Sequence, residues 1–248
     1  MTEGVQRPVQ RQESLPRVPK VSEQLADRLR AIILGHSMRP GDRLASEAEL
    51  ISRYGVARGT VREALRLLES EGLIEIRRGR EGGILVRRPG IDRIGNSVVV
   101  MVTMAEVTVR ELIDYRLLIE PEAAAAAART ATAEQRAGLR RAVEAEPHEE
   151  LGFHTVLAEC SNNSFLRMAV TMLHHGLSSS PSGLHLGGAD EDGARQDHYT
   201  VLSAVEQRDP AQAALAMARH LHRFRDLLEE QGRLDEEFIP ADWWLSRT

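Results

Sequence analysis

Apolar residues recur at intervals of three and four through most of this chain, the spacing that lines one face of an α-helix. Val21, Leu25, Leu29 and Ile32–Ile33 make the first stripe, with Ser22 as the expected cap and Gly35 as the expected stop. Arg39-Pro40-Gly41-Asp42 reads as a turn. Ser46, with Glu49 three residues on, forms a capping box before a short helix that carries Leu50 and Ile51 and closes near Tyr54-Gly55. The next stripe, Val61, Ala64, Leu65 and Leu68, faces inward, while Arg58, Arg62 and Arg66 repeat at four-residue spacing on another face. After Gly72 the period changes. Two short apolar runs, Leu73–Ile76 and Ile84–Val86, flank Arg77-Arg78-Gly79-Arg80-Glu81-Gly82-Gly83, a hairpin with a flexible basic tip.

A short helix, a tight glycine turn, a helix with a guanidinium row and then a basic hairpin predict a winged helix-turn-helix. The planar fork of arginine grips phosphate or the major-groove edge of guanine. Glycine at the wing tip allows close approach to a groove, and arginine there is drawn to the minor-groove potential. The polar first eighteen residues read as a disordered arm. Pro89-Gly90 reads as the boundary, so the DNA-binding domain is expected over residues 19–90.

Beyond it nearly every segment reads helical. Helices are expected around residues 94–104, 108–129 (with an unbroken Ala123–Ala128 run), 132–143, 148–159, 164–177, 195–207 and 211–229, with Asp209-Pro210 starting the last. Residues 178–192 are rich in Ser and Gly and read as a loop. The fold class expected is mostly α: an N-terminal winged helix-turn-helix followed by an antiparallel all-helical bundle over 91–234 and a tail over 235–248. Met101, Met104, Met168 and Met172 are expected in the core. His174, His175, His185 and His222 are expected on the surface or in loops, and the Trp243-Trp244 pair is left without a role.

Composition adds three exclusions. The single cysteine, Cys160, excludes an intrachain disulfide framework and a CxxC zinc site. No apolar run nears the roughly 20 residues that span a bilayer. The polar N-terminus lacks the apolar core of a signal peptide, so the expected compartment is the cytoplasm, with no membrane partner. Charge is divided unevenly: residues 1–90 carry a net +5 and residues 91–248 a net −10. A basic first third joined to an acidic remainder fits a nucleic-acid-binding module attached to something else.

The stretch RPGDRLASEAELISRYGVARGTVREALRLLESEGLIEIRRGREGGILVRRP closely resembles the N-terminal domain of the GntR family of bacterial transcription regulators. By that resemblance Arg58, Thr60 and Arg62 contact double-stranded operator DNA from the recognition helix, and Arg78, Gly79 and Arg80 from the wing. Ala48 departs from the arginine that many members carry there, which removes one usual DNA contact.

In the acidic part, Glu150 and His154 lie four apart on one helix face, and His198 and His220 fall on later helices. Imidazole and carboxylate together suit a divalent transition metal, and facing helices of a bundle can supply such a site. VRELIDYRLLIEPEAAAAAA, the LAECSNNSFL stretch after Phe153-His154, and DHYTVLSAVEQRDPAQAALAMARHL resemble the effector domain of the FadR subfamily, called FCD. That resemblance implies a metal (Zn, Ni, Mn or Fe) held by Glu150, His154, His198 and His220. It also implies an effector cavity lined by Arg116 and Asn163, and a small organic acid whose carboxylate completes the metal's shell. Two departures stand out: Glu150 replaces the usual Asp, and the segment between Arg129 and Glu150 is short. The expected function is a ligand-responsive transcription regulator, a repressor acting as a homodimer on a palindromic operator and not an enzyme. The alternatives are a metal-dependent enzyme tethered to DNA and a constitutive DNA-binding dimer.

Overall fold

The computed structural model describes residues 19–79, 82–145, 150–179 and 191–242. The expected arm over residues 1–18, Arg80 of the wing, Pro147, His185 and Trp243-Trp244 lie outside the described residues. The chain divides into two compact units, Met1–Pro89 and Gly90–Thr248.

In the first unit, α1 (Val21–Ile32) buries Leu25, Ala26 and Leu29 and runs straight into a π-helical turn, Ile33–Ser37. Ser22 is buried inside α1 and does not cap it. The cap position is Lys20, whose backbone N–H donates to Glu23 Oε2 at 3.0 Å. Gly35 does not stop the helix, because the wider turn carries the backbone past it. Ser46 caps α2 (Glu47–Tyr54) through the expected box with Glu49, and Gly55 ends it in the left-handed conformation at φ 63°. The third helix, α3 (Arg58–Ser70), buries Val61, Ala64, Leu65 and Leu68. Strands β2 (Ile74–Arg77) and β3 (Gly83–Val86) pair antiparallel in the register Ile74↔Val86, Ile76↔Ile84. A third strand, β1 (Arg43–Leu44), pairs with β3 to give the order β1-β3-β2. Two residues are too few to show a period of two, so this strand has no sequence signal. The inward residues of all these elements form one core. Arg30 forks onto Glu71 at 2.9 and 2.6 Å, tying α1 to the end of α3.

The second unit is all helix: α4 (Ile91–Met104), α5 (Val109–Thr130), α6 (Ala133–Glu144), α7 (Glu150–Cys160), α8 (Ser164–Ser179), α9 (Glu191–Glu206) and α10 (Pro210–Glu230). Thr108 with Glu111, and Thr132 with Gln135, start α5 and α6 with capping boxes, and Asp209 Oδ1 accepts from the Gln212 N–H to start α10. Helix α5 is the spine, packed against α7, α8, α9 and α10. Its six-alanine run is buried on every side, which lets the neighbouring helices come close. Pro121 sits inside α5 without ending it. The ends of the loop expected over 178–192 are helical, since α8 continues to Ser179 and α9 begins at Glu191. Past α10 the chain returns to the bundle. Leu234, Phe238 and Ile239 are buried against α5 and α10, and the Phe238 N–H donates to the Val107 carbonyl at 2.8 Å. Two methionines expected in the core are on the surface: Met101 is 68 % and Met104 82 % exposed, because both fall on the outer side of α4. Met168 is also exposed.

Candidate functional site

The first site is the recognition face of the N-terminal unit. Ala57 precedes α3 without a side-chain cap, so its side chain leaves the first-turn amides of α3 uncapped beside Arg58. A helix N-terminus with unsatisfied N–H groups favours phosphate. Arg58 and Arg62 are exposed, Thr60 is half-buried, and neither arginine has an ion-pair partner among the described residues. Arg66 differs, being 3.3 Å from Glu63. On the wing, Arg78 and Gly79 are exposed, and Gly79 has φ 106°. At Gly82 a Cβ would stand 2.4 Å from the Arg77 carbonyl oxygen, so only glycine closes this tip. Arg77 and Arg87 both turn back onto Glu75, whereas Arg78 is exposed at the turn.

The second site lies inside the bundle. His154 of α7, His198 of α9 and His220 of α10 are each at most 1 % exposed, and each brings a ring nitrogen within 4.8 Å of the other two. His198 Nε2 and His220 Nε2 are 3.4 Å apart. Two nitrogens sharing a tetrahedral metal at about 2.0–2.1 Å stand roughly 3.3 Å apart, so the spacing fits coordination. Phe153 stacks on His198 with centroids 4.0 Å apart and 18° between planes, which holds that ring in place.

Around the histidines is a shell of charged groups. Arg116 and Glu120, one turn apart on α5, are both 1 % exposed and paired at 2.6 Å. Glu120 Oε2 lies 2.5 Å from His154 Nδ1, although not in hydrogen-bond alignment. An Arg116 terminal nitrogen is 3.4 Å from His154 Nε2. The Arg116 guanidinium also lies 5.5 Å over the Phe224 ring. On the other flank Asp197 Oδ2 is 3.4 Å from His220 Nδ1 and 2.8 Å from Arg223 Nε. Burial works against the Glu120 carboxylate, but Arg116 and His154 outweigh it and hold it well below the usual range. Burial pushes His154 down to about 3, against the pull of Glu120, so the imidazole is neutral near pH 7 and retains a lone pair for a metal. Burial also works against Asp197, yet hydrogen bonds from His220 and Arg223 keep its carboxylate below the usual range.

The structure thus gathers His154, His198, His220 and Arg116. Glu150 opens α7 one turn before His154, but its side chain lies outside the described residues. Asn163 stands apart: it is exposed, and its Oδ1 accepts from the N–H groups of Phe165 and Leu166 at the start of α8. His174, expected on the surface, is 4 % exposed, with Nε2 3.9 Å from Glu120 Oε1. Glu120, His154 and His174 form a second group able to hold a cation. Sequence reasoning missed Glu120, His174, Asp197 and Arg223. One signal was available: Arg116 and Glu120 are spaced i, i+4 in an otherwise apolar helix face. Cys160 is buried and its thiol is pushed up to about 11 by burial, which excludes it as a nucleophile near neutral pH.

The model of the gntR family of bacterial regulatory proteins matches residues 21–86, and that of the FCD domain matches residues 111–223. Over 221 residues the chain is 31 % identical to the HTH-type transcriptional repressor NanR of Salmonella newport (strain SL254), covering 82 % of this chain and 83 % of that protein. Over 234 residues it is 29 % identical to the Uxu operon transcriptional regulator of Escherichia coli (strain K12), covering 85 % and 88 %. A solved GntR structure from Streptococcus agalactiae superposes with a TM-score of 0.60 at 26 % identity, over 83 % of this chain and 99 % of that one. Among the described residues no helix is long and apolar enough to cross a membrane. The chain therefore belongs to the GntR family of bacterial regulatory proteins, as a DNA-binding transcription regulator that pairs a winged helix with an FCD ligand-sensing domain.

Proposed function

We propose that this regulator is a cytoplasmic repressor that senses a small organic acid through a divalent metal held by His154, His198 and His220. The observation that carries this reading is the convergence of three fully buried ring nitrogens beside the Arg116 guanidinium. Three imidazoles leave coordination positions open, and a carboxylate completing the shell meets a fixed cation at Arg116. The metal supplies a Lewis-acidic anchor for that carboxylate, while the protein supplies charge and shape. Glu150 is a fourth ligand by its place one turn before His154. Arg58, Thr60, Arg62, Arg78, Gly79 and Arg80 are the groups proposed to touch DNA, the arginines by charge and the glycine by backbone approach. The repressor assignment takes support from the similarity to NanR, an HTH-type transcriptional repressor.

A homodimer is part of the proposal, since a two-fold protein matches a palindromic operator. Its support is two large apolar side chains left exposed, Leu118 of α5 at 78 % and Phe165 of α8 at 82 %, which a second copy would remove from water.

The test is metal content of the purified full chain by mass spectrometry, with His154→Ala as control, followed by operator binding with and without carboxylates. About one metal per chain, lost in the variant, and a carboxylate that shifts operator affinity only in metal-loaded protein are expected. Metal-free protein after reconstitution sinks the metal reading. Turnover of the added acid favours an enzyme, and operator affinity indifferent to every acid favours a constitutive dimer.

A further inference from the structure

Two of the three histidines share an arrangement that lies outside the proposed ligand set. On one flank Arg116 pairs with Glu120 at 2.6 Å, and Glu120 faces His154 Nδ1 at 2.5 Å. On the other, Arg223 Nε donates to Asp197 Oδ2 at 2.8 Å, and the same oxygen faces His220 Nδ1 at 3.4 Å. Each chain runs arginine, carboxylate, imidazole, and each meets its imidazole at Nδ1. The opposite nitrogen points elsewhere: His220 Nε2 meets His198 Nε2 at 3.4 Å, and His154 Nε2 meets an Arg116 terminal nitrogen at 3.4 Å.

That last contact decides the tautomer of His154. A guanidinium has donors and no acceptor, so the nitrogen facing it holds the lone pair. The ring proton then sits on Nδ1, the nitrogen facing the Glu120 carboxylate, which has only acceptors when ionised. The Arg116 contact sets this tautomer, and the Glu120 carboxylate beside Nδ1, although out of hydrogen-bond alignment, agrees with it. We infer that Arg116–Glu120–His154 and Arg223–Asp197–His220 are paired relays that fix both imidazoles with the proton on Nδ1 and so keep the lone pair on Nε2: at His220 that nitrogen faces His198 Nε2, and at His154 a metal would take the lone pair in place of the Arg116 N–H. Glu120 and Asp197 are positioning residues, not ligands, and the arginines hold the two carboxylates in place. A metal-ligating imidazole backed in this way has a set orientation and greater basicity. The relays are unequal. Glu120 is sealed in the bundle, whereas the Asp197 side chain is 29 % exposed and its oxygen is shared with Arg223.

This assignment rests on the metal reading above, and the test separates the two. Co(II) affinity is measured on the full chain by competition with a chromophoric chelator, together with the visible spectrum of the bound ion and its X-ray absorption. Glu120→Gln and Asp197→Asn are each expected to weaken Co(II) binding 10- to 100-fold, Glu120→Gln by more, and to shift the spectrum. The oxygen and nitrogen scatterer count is expected to stay unchanged in both. Wild-type affinity and spectrum in both variants overturn the relays and leave the metal site standing. Loss of an oxygen scatterer in Glu120→Gln, or loss of Co(II) in His174→Ala, overturns them by making the group of Glu120, His154 and His174 the ligand set. Wild-type protein that takes up no Co(II) overturns the metal reading, and the relays with it. If Glu120→Gln fails to fold, Asp197→Asn decides alone: weakened binding supports the relays and unchanged binding overturns them.

Discussion

Glu120 of α5 and His154 of α7 meet at 2.5 Å with both side chains removed from water, so each group's charge state depends on the other. The pair stands on the central helix of the bundle, and Arg116 completes its charge balance. Stability and protonation are thereby coupled at one point.

The first consequence concerns folding. Glu120→Ala removes the carboxylate that compensates Arg116 and leaves a guanidinium buried without its counter-charge. Breaking a buried pair in this way costs about 3–5 kcal/mol. Replacing both partners, Arg116→Leu with Glu120→Leu, is expected to cost less than the sum of the single changes, because no unpaired charge is then left inside. Denaturant titration of the three variants checks this, and strictly additive losses would refute it.

Acid sensitivity follows from His154. Its folded pKa is depressed from the ordinary 6.5 to about 3 by burial, so the unfolded chain takes up a proton that the folded chain refuses. Stability from this group is whole above about pH 6.5 and declines as pH falls toward 3, by at most about 1.4 kcal/mol per pH unit. Glu120, also depressed, adds to the loss once pH falls below the ordinary carboxylate range. Urea midpoints between pH 7 and pH 5 are expected to fall in the wild type and to fall less steeply in His154→Gln. Equal slopes would remove His154 from the account.

On the recognition helix, Arg62→Ala is expected to weaken operator binding by about 1–3 kcal/mol if the side chain reads a base. Arg66→Ala is expected to have less effect, since that guanidinium already faces Glu63 at 3.3 Å. A gel-shift titration at fixed salt measures both, and an unchanged affinity for Arg62→Ala ends its role.

The wing makes a separate prediction. A methyl group at Gly82 would strike the Arg77 carbonyl oxygen at 2.4 Å, so Gly82→Ala must reshape the tip. Operator affinity is expected to drop while the bundle's thermal transition is unmoved. A variant that binds like wild type would show that the tip stays off the DNA.

Association of two copies is tested at Leu118, an exposed apolar residue of α5. Leu118→Glu places a charge where 78 % of an apolar side chain meets water. Sedimentation is expected to show dissociation at concentrations where the wild type stays paired, and an unchanged mass would move the interface elsewhere.

Much of this was legible from residue order. The stripes from Val21 to Leu29 and from Val61 to Leu68 mark the same inward faces in the structure. The capping pair Ser46 with Glu49 marks the start of α2 in sequence and structure alike. Such signals are local, because a helix writes its buried face and its first turn within a few positions of sequence. The same locality explains the errors at Ser22 and Gly35, where core packing and a π-helical turn overrode a cap and a stop of ordinary type.

The chemistry of the bundle was legible only in part. Resemblance to a family pointed to His154, His198 and His220, but spacing has no means of joining α5, α7, α9 and α10. Which face of one helix meets which face of another is settled by packing over the whole unit. The burial of His174, the pairing of Glu120 with His154, and the Arg223–Asp197–His220 chain all depend on that meeting of faces. Met101 and Met104 show the converse, apolar residues left outside because α4 offers that side to no neighbour among the described residues. Sequence by itself therefore determined the elements, their inward stripes and the basic recognition helix, since each is specified by residues a turn apart. Tertiary structure alone decided which charged and ring nitrogen atoms share a buried chamber, since that depends on contacts between residues distant in the chain.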